Sequence, residues 1–202
     1  VGIGNFGDIT MFSFHATKLF NTIEGGCLTY KDEALVKKIY NLRNFGIQSE
    51  EVVEDIGING KMNEFQAAWG LLNLKQYRKE QERRKVIKEI YDNGLKDVKG
   101  IRIPQMPENT TNSYQYYPIV IEDEYSKTRD EIYDMFKEEN IYTRKYFYPA
   151  CHDYDCYKND ITVKIARLRT TNDLKTRVLC LPFYGSLDKN VAEYICEVFK
   201  CI

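Results

Sequence analysis

Apolar residues occur as two short runs near the beginning of the chain, at helical spacing through its middle, and in both patterns after Gly100. Residues 9–14 and 26–30 are brief apolar runs bounded by turn-forming residues, which predicts two short strands. From Lys31 to Arg43 the apolar residues Ala34, Leu35, Ile39 and Leu42 recur at helical spacing, and Asn44-Phe45-Gly46 supplies the stop. After an acidic connector, "SEEVVED", comes a long helical pattern. Met62, Phe65, Ala68, Trp69, Leu72 and Leu74 make a broad apolar face over its first half. From Gln76 charges take over, leaving Tyr77, Val86, Ile87 and Ile90 as a narrow seam. A helix apolar at one end and solvated at the other suits an element that leaves one domain to begin another.

Beyond Gly100 the spacing predicts a strand over 113–121 and a helix over 127–139 with Ile132, Met135 and Phe136 inward. Further strands are expected over 141–148 ("IYTRKYFY") and 178–182, then a last helix from Asp188 with Val191, Ile195 and Val198 inward. This order predicts a small α/β sandwich with helices on one side of a sheet. The expected organisation is a first domain over 1–75, a connecting helix over 76–99 and a small α/β domain over 100–202.

Composition narrows the function classes. The 202 residues suffice for a sizeable core, and 29 basic against 30 acidic side chains give no global field for nucleic acid or an anionic membrane. No apolar run approaches the roughly 20 residues of a membrane span, and no signal-like segment opens the chain. The cysteines at 27, 151, 156, 180, 196 and 201 contain no Cys-x-x-Cys pair, and four of them sit in apolar runs. Free thiols used as small core residues point to a reducing, cytoplasmic compartment. The opening "VGIGNFGDITMF" starts in mid-pattern, which reads as a piece of a longer chain.

The stretch "SFHATKLFNTIEGG", residues 13–26, poses a chemical question: it sets one lysine, Lys18, in the bend between two strands. Taken alone, Lys18 reads as a solvated charge, Ser13 as a hydroxyl paired to backbone, and Glu24-Gly25-Gly26 as a hairpin connection.

The order of motifs changes that weighting. "SFHATK" with "EGG", "NLRNFGI", "GINGKMNEFQAAWGLLNL", "YFYPACHDYDCY" and "VLCLPFYGSL" resemble, in sequence order, the sugar aminotransferases of the DegT/DnrJ/EryC1/StrS family. Within that family the likeness is strongest to its 3- and 4-aminotransferases of deoxysugars. The resemblance implies an α/β fold: the C-terminal part of a fold-type I transferase dependent on pyridoxal phosphate (PLP), comprising the end of the large-domain sheet and the small α/β domain. It implies that Lys18 carries the cofactor and moves a proton, because PLP needs an amine to hold its aldehyde and a base beside the substrate α-carbon. By the same resemblance Ser13 binds the cofactor phosphate, and Asn59 reaches the phosphate of a neighbouring subunit, which implies a homodimer with shared sites.

His15 either lies near the cofactor or simply packs, and Glu24 either closes the lysine loop or caps Gly26. The aromatic and basic run Tyr142–Tyr157 is expected to hold a nucleotide-sugar, with Arg144 or Lys145 near its diphosphate and Tyr148 and His152 in the same run; a partly buried sheet edge would read alike. Many relatives carry Pro-x-His there, whereas this chain has Pro149-Ala150-Cys151 and then His152, which unsettles a substrate copied from them. Cys151, His152 and Cys156 fit no standard zinc spacing, so no metal is expected.

The family's ring-stacking aromatic, most of its phosphate donors and its pyridinium aspartate lie upstream and have no counterpart here. The chain is therefore expected to carry about half a site. Lys18 should sit in a solvated loop without a partner, flanked by strands lacking the rest of their parallel sheet. The implied activity is transfer of an amino group from an amino acid, L-glutamate by expectation, to a nucleotide-linked keto-6-deoxy sugar. The alternative is a non-catalytic homologue or isolated C-terminal fragment that only binds or dimerises. A dehydratase relative would carry histidine in place of Lys18.

Overall fold

In the computed structural model, which describes residues 1–160 and 162–202, the chain divides into two units, Val1–Arg78 and Lys79–Ile202. Both expected strands of the first unit form, β1 over Ile9–Ser13 and β2 over Gly26–Tyr30. They pair antiparallel, with Met11 opposite Leu28 and Ser13 opposite Gly26. This corrects the expectation of a parallel arrangement. The loop over 14–25 reverses the chain directly, whereas a parallel pair needs a crossover that carries it back along the strand.

Helix α1, Leu35–Arg43, starts later than its apolar spacing predicts. Asp32 first builds a turn: its carbonyl accepts from Leu35 N–H (3.1 Å) and its carboxylate from Ala34 N–H (2.8 Å). The stop falls where expected, with Phe45 and Gly46 both in the left-handed region (φ 58° and 76°). Gly46 is required there, because a Cβ would collide with the Asp55 carbonyl oxygen.

Helix α2, Glu64–Leu95, is continuous and runs from the first unit into the second. Asn63 and Gln66 form a reciprocal cap at its start: Asn63 Oδ1 accepts from Gln66 N–H (2.9 Å) and Gln66 Oε1 from Asn63 N–H (3.2 Å). The broad apolar face expected over its first half is not turned inward. Phe65 is 87% exposed and Leu72 58%, with Met62, Trp69 and Leu74 exposed as well. The line facing its own unit is Gln66, Gly70, Asn73 and Tyr77, small and polar side chains at helical spacing. Among the described residues, every fully buried large apolar side chain belongs to the second unit.

In that unit β3 (Ile101–Arg102), β4 (Tyr117–Ile121) and β5 (Val178–Leu181) form an antiparallel sheet in the order β3-β4-β5. Helix α3, Arg129–Glu138, opens with a capping box between Thr128 and Glu131. The short helices α4 (Asp155–Lys158) and α5 (Arg169–Leu174) precede β5, and α6 (Lys189–Cys201) follows it, capped by Asp188. Ile87, Tyr91 and Leu95 of α2 join Ile119, Ile132, Phe136, Leu179, Ile195 and Phe199 in one core.

Several expectations shift here. β4 begins at Tyr117, because Tyr114 adopts a left-handed φ of 53° and its N–H turns to the Asn112 side chain (2.6 Å). The strand expected over 141–148 reduces to one bridge, Arg144 with Cys180. Helix α6 buries Ala192, Ile195, Cys196 and Phe199, while Val191 is exposed. Of the six cysteines only Cys180 and Cys196 are core residues, their thiols pushed up to about 11 by burial; the rest are exposed, and all are free. Among the described residues no helix is long and apolar enough to cross a membrane.

Phe136 lies wholly inside this core and contacts the Phe199 ring with centroids 5.4 Å apart. Phe136→Ala should therefore destabilise the second unit by about 3–5 kcal/mol. The check is a denaturant titration, in which the midpoint should fall while the slope stays unchanged.

Candidate active site

β1 delivers the chain to the loop over 14–25 at Ser13, and the base of that loop is closed twice. Phe14 N–H donates to Gly25 O (2.8 Å), and Thr22 N–H donates to Phe14 O (2.9 Å). Thr22 is only 2% exposed, and its hydroxyl donates to Glu24 O (2.7 Å). Phe14 and Phe20 pack edge to face with centroids 4.9 Å apart. A Cβ on Gly26 would lie 2.6 Å from Phe12 O, so only glycine lets β2 approach β1 beside Ser13. Gly25 has φ 147°, and a Cβ there would strike the Thr22 hydroxyl.

Lys18 ends a turn in which its N–H donates to His15 O (2.9 Å). The side chain is half-buried, not fully solvated as expected. Its amine has no hydrogen-bond or ion-pair partner among the described residues. The exposed Ser13 accepts from His15 N–H at 3.4 Å. His15 Nδ1 accepts from Thr17 N–H (3.2 Å), so the neutral ring carries its proton on Nε2, which faces Glu24 Oε1 at 3.5 Å. His15, Lys18 and Glu24 thus share one short loop, which opens directly after Ser13.

Three residues tie this loop to α2: Asn21 and Asn73, which periodicity did not single out, and Trp69, which it placed on an apolar face rather than in a polar contact. Asn21 Nδ2 donates to Lys18 O (3.1 Å), and Trp69 Nε1–H donates to Asn21 Oδ1 (3.0 Å). Asn73 Nδ2 donates to Asn21 O (2.8 Å). The only hint in the sequence is the polar line on a helix otherwise scanned for apolar spacing.

Asn59 lies in a second loop of the same unit, bridged to Asn44. Hydrogen bonds from Phe45 N–H to Ile58 O (3.0 Å) and from Gly60 N–H to Arg43 O (2.8 Å) fix the backbone on either side. The Asn59 side chain is exposed. The loop is anchored by Asp55, which pairs with Lys38 and accepts from the buried Asn41 amide (3.2 Å). The Lys38 hydrogen bond, followed by that of Asn41, holds the Asp55 carboxyl below its ordinary range.

Arg144, Tyr148 and His152 belong to the second unit. Arg144 exchanges both backbone hydrogen bonds with Cys180 (2.9 and 2.8 Å), which leaves its side chain exposed. The exposed Tyr148 ring rests on Arg129, whose guanidinium lies 5.0 Å from the ring centroid. Arg129 is 2% exposed and donates to the carbonyls of Lys175 (3.1 Å) and Val178 (3.3 Å) and to the Asp130 carboxylate (2.7 Å). His152 Nε2 donates to Asn172 Oδ1 (2.9 Å). Asp153, held low chiefly by Lys175, accepts from Lys175 (2.7 and 2.9 Å) and from Ala150 N–H (3.2 Å). The corner after Pro149 is therefore pinned to α5 and to the residue that follows it.

Comparison with known proteins bears on this arrangement. The family model described as the DegT/DnrJ/EryC1/StrS aminotransferase family matches residues 2–200. A dTDP-4-amino-4,6-dideoxy-D-glucose transaminase of Shigella dysenteriae is 35% identical over 194 residues, covering 96% of this chain and 52% of the relative. One of the same name from Escherichia coli is 38% identical over 175 residues, covering 87% and 47%. The chain thus spans about half the length of the curated relatives it matches. Among solved structures, DesI in the presence of its TDP-sugar product superposes with a TM-score of 0.88 at 31% identity, covering 98% of this chain and 50% of that one. Helicobacter pylori PseC, an aminotransferase involved in the biosynthesis of pseudoaminic acid, gives 0.87 at 25%, covering 99% and 55%. The fold is the expected α/β fold of fold-type I transferases.

The anchoring of the Asn59 loop is open to test through Asp55. A carboxyl depressed in the folded state adds stability above its unfolded pKa of about 3.9, and that stability is lost as pH falls through the folded value. Amide exchange at Gly46 and Glu54, corrected for intrinsic rates, should stay slow between about pH 5 and 8 and quicken below about pH 4. Asp55→Ala should produce the same quickening at neutral pH.

Proposed function

The chain belongs to the DegT/DnrJ/EryC1/StrS aminotransferase family, and on that premise we propose a PLP-dependent transaminase acting on a nucleotide-linked keto-6-deoxy sugar, with L-glutamate as amino donor. The observation that carries the reading is the half-buried, unpartnered Lys18 amine in a loop closed at its base and tethered to α2. A solvated surface lysine needs no such framing. The names of the similar proteins, transaminases of a dTDP-amino-dideoxyglucose and an enzyme seen with a TDP-sugar product, support the substrate class.

The residues present fit the family's cofactor, PLP, at its aldehyde and phosphate ends. Lys18 offers a primary amine with no hydrogen-bond or ion-pair partner among the described residues. Ser13 accepts one long hydrogen bond and keeps its own proton free to donate to a phosphate oxygen. Asn59 offers an exposed amide on an anchored loop. When bound, PLP supplies an electron-withdrawing ring that stabilises negative charge beside the migrating nitrogen.

With PLP bound, Lys18 Nζ would hold it at the aldehyde carbon, and the same amine, when free, would be the base for the proton on the donor's α-carbon. Ser13 Oγ and Asn59 Nδ2 would orient the phosphate, Asn59 from the neighbouring subunit of a homodimer. The Nε2–H of His15, directed to Glu24, steadies the loop in front of Lys18. In the second unit the Arg144 guanidinium suits a diphosphate, and the Tyr148 ring with His152 suits the nucleoside or sugar. A cytoplasmic location belongs to this reading, on the strength of the free thiols.

A second reading, a non-catalytic chain that binds or dimerises, draws on the exposed apolar residues of α2. The two readings separate on chemistry. Borohydride reduction of the PLP-loaded full-length protein should label Lys18, and addition of glutamate should abolish the visible absorption of the cofactor joined to the lysine. Lys18→Ala should end turnover yet still bind pyridoxamine phosphate non-covalently. Label on another lysine would overturn the assignment.

Asn59→Ala should cost about 1.5–3 kcal/mol of cofactor binding, roughly a ten- to hundredfold loss of affinity, without unfolding the chain. Because the contact is assigned across subunits, a mixed dimer of Lys18→Ala and Asn59→Ala chains should keep one working site. An inactive mixed dimer would count against shared sites.

A further inference from the structure

We infer that Asn21 is a positioning residue for Lys18: its side-chain amide holds the lysine backbone, and Trp69 and Asn73 of α2 lock that amide in one orientation. The inference rests on the reading of Lys18 as the cofactor-bearing amine. It starts from the polarity of the partners. An asparagine side chain offers an oxygen that only accepts and a nitrogen that only donates. Asn21 Oδ1 faces two groups that can only donate, the Trp69 indole N–H (3.0 Å) and the Ile23 backbone N–H (3.3 Å). Asn21 Nδ2 faces one that can only accept, Lys18 O (3.1 Å). Turning the amide over would set donor against donor and acceptor against acceptor at every contact.

The backbone of Asn21 is fixed from the same helix. Asn73, one turn beyond Trp69 on α2, donates to Asn21 O (2.8 Å). Two residues later Ile23 has φ 69°, a left-handed conformation costly for a β-branched residue. Such a conformation persists where neighbouring contacts over-determine it, and the Ile23 N–H bond to Asn21 is one of those contacts. The amide therefore links the turn that ends at Lys18 with α2. With the backbone held, only the four-carbon stem of Lys18 remains to be ordered when its amine engages a fixed aldehyde, which favours the covalent over the free form.

The test uses the full-length protein with Asn21→Asp, Asn21→Ala and Trp69→Phe. Asn21→Asp keeps the shape and the acceptor for Trp69 and Ile23 but sets an oxygen against Lys18 O. Trp69→Phe keeps an aromatic ring but removes the donor together with the pyrrole part of the indole. The indole N–H resonance that disappears in Trp69→Phe identifies Trp69; it should move in Asn21→Ala and stay near its place in Asn21→Asp. At limiting PLP, the borohydride-labelled fraction at Lys18 should fall roughly fivefold in both Asn21 variants, the scale of one neutral hydrogen bond, and about twofold in Trp69→Phe. Affinity for pyridoxamine phosphate, which needs no covalent bond to Lys18, should be unchanged.

Labelling equal to wild type in both Asn21 variants would overturn the inference. So would a parallel loss of pyridoxamine phosphate affinity, which would mark a general structural role. An unmoved indole resonance in Asn21→Ala would overturn the amide lock itself. An unlabelled Lys18 in the wild type would instead sink the functional reading, and this inference with it.

Discussion

The first unit depends on one close approach, Gly70 of α2 against Thr22 of the lysine loop. A Cβ at position 70 would lie 2.8 Å from the Thr22 methyl, so any larger residue would lift the helix off the loop. Glycine inside a helix costs up to about 1 kcal/mol relative to alanine, and here that cost permits the contact. With the backbones this near, the side chains one position before and three after Gly70, Trp69 and Asn73, reach Asn21 directly. Thr22 in turn is almost wholly buried and bonds through both its N–H and its hydroxyl, which fixes how the loop returns to β2.

One helix serves the two units by different physics. Over its first half α2 contacts its unit through small and polar residues, so directional hydrogen bonds set the geometry. Over its second half Ile87, Tyr91 and Leu95 sink into an apolar core, where burial at about 25 cal/mol per Å2 is the main stabilising effect. The second unit spends its polar groups at the rim: Arg129 satisfies two carbonyls and a carboxylate while its flat face supports Tyr148. A lysine there would give a point charge without the planar face, so the ring would lose its support.

Local signals were legible in the sequence. The two strands around Lys18, the Asn-Phe-Gly stop of α1 and the Asp188 cap of α6 each rest on a few adjacent residues, and each appeared at or near its expected place. What needed the third dimension was not legible. Apolar spacing on α2 could not tell that its apolar face would turn outward, because Gly70 decides the matter from the other side of the helix. The run over 141–148 has strand-like aromatics, yet it pairs only at Arg144. Helices α4 and α5 fall in a stretch with no periodicity. Motif order singled out Ser13, His15 and Lys18 as candidates, whereas the contact between Asn21 and Trp69, 48 positions apart, could not be read from the sequence.

The loop also accounts for why its residue types are not interchangeable. Under the proposed function, position 18 calls for a nucleophile that can lose a proton and bond to an aldehyde; arginine stays protonated in proteins, and a histidine ring forms no such attachment. A lysine stem has four rotatable carbons, so a lysine free at both ends would spend much of its time away from any fixed target. The structure removes freedom from the backbone end alone. The His15 turn holds the Lys18 N–H and the Asn21 amide holds its carbonyl, while the amine has no competing partner among the described residues. A carboxylate beside the amine would have given a more stable loop and a less available nucleophile. Glu24, the carboxylate of the same loop, is instead directed to His15. Lys18 is thus constrained where that helps and unpartnered where a partner would interfere.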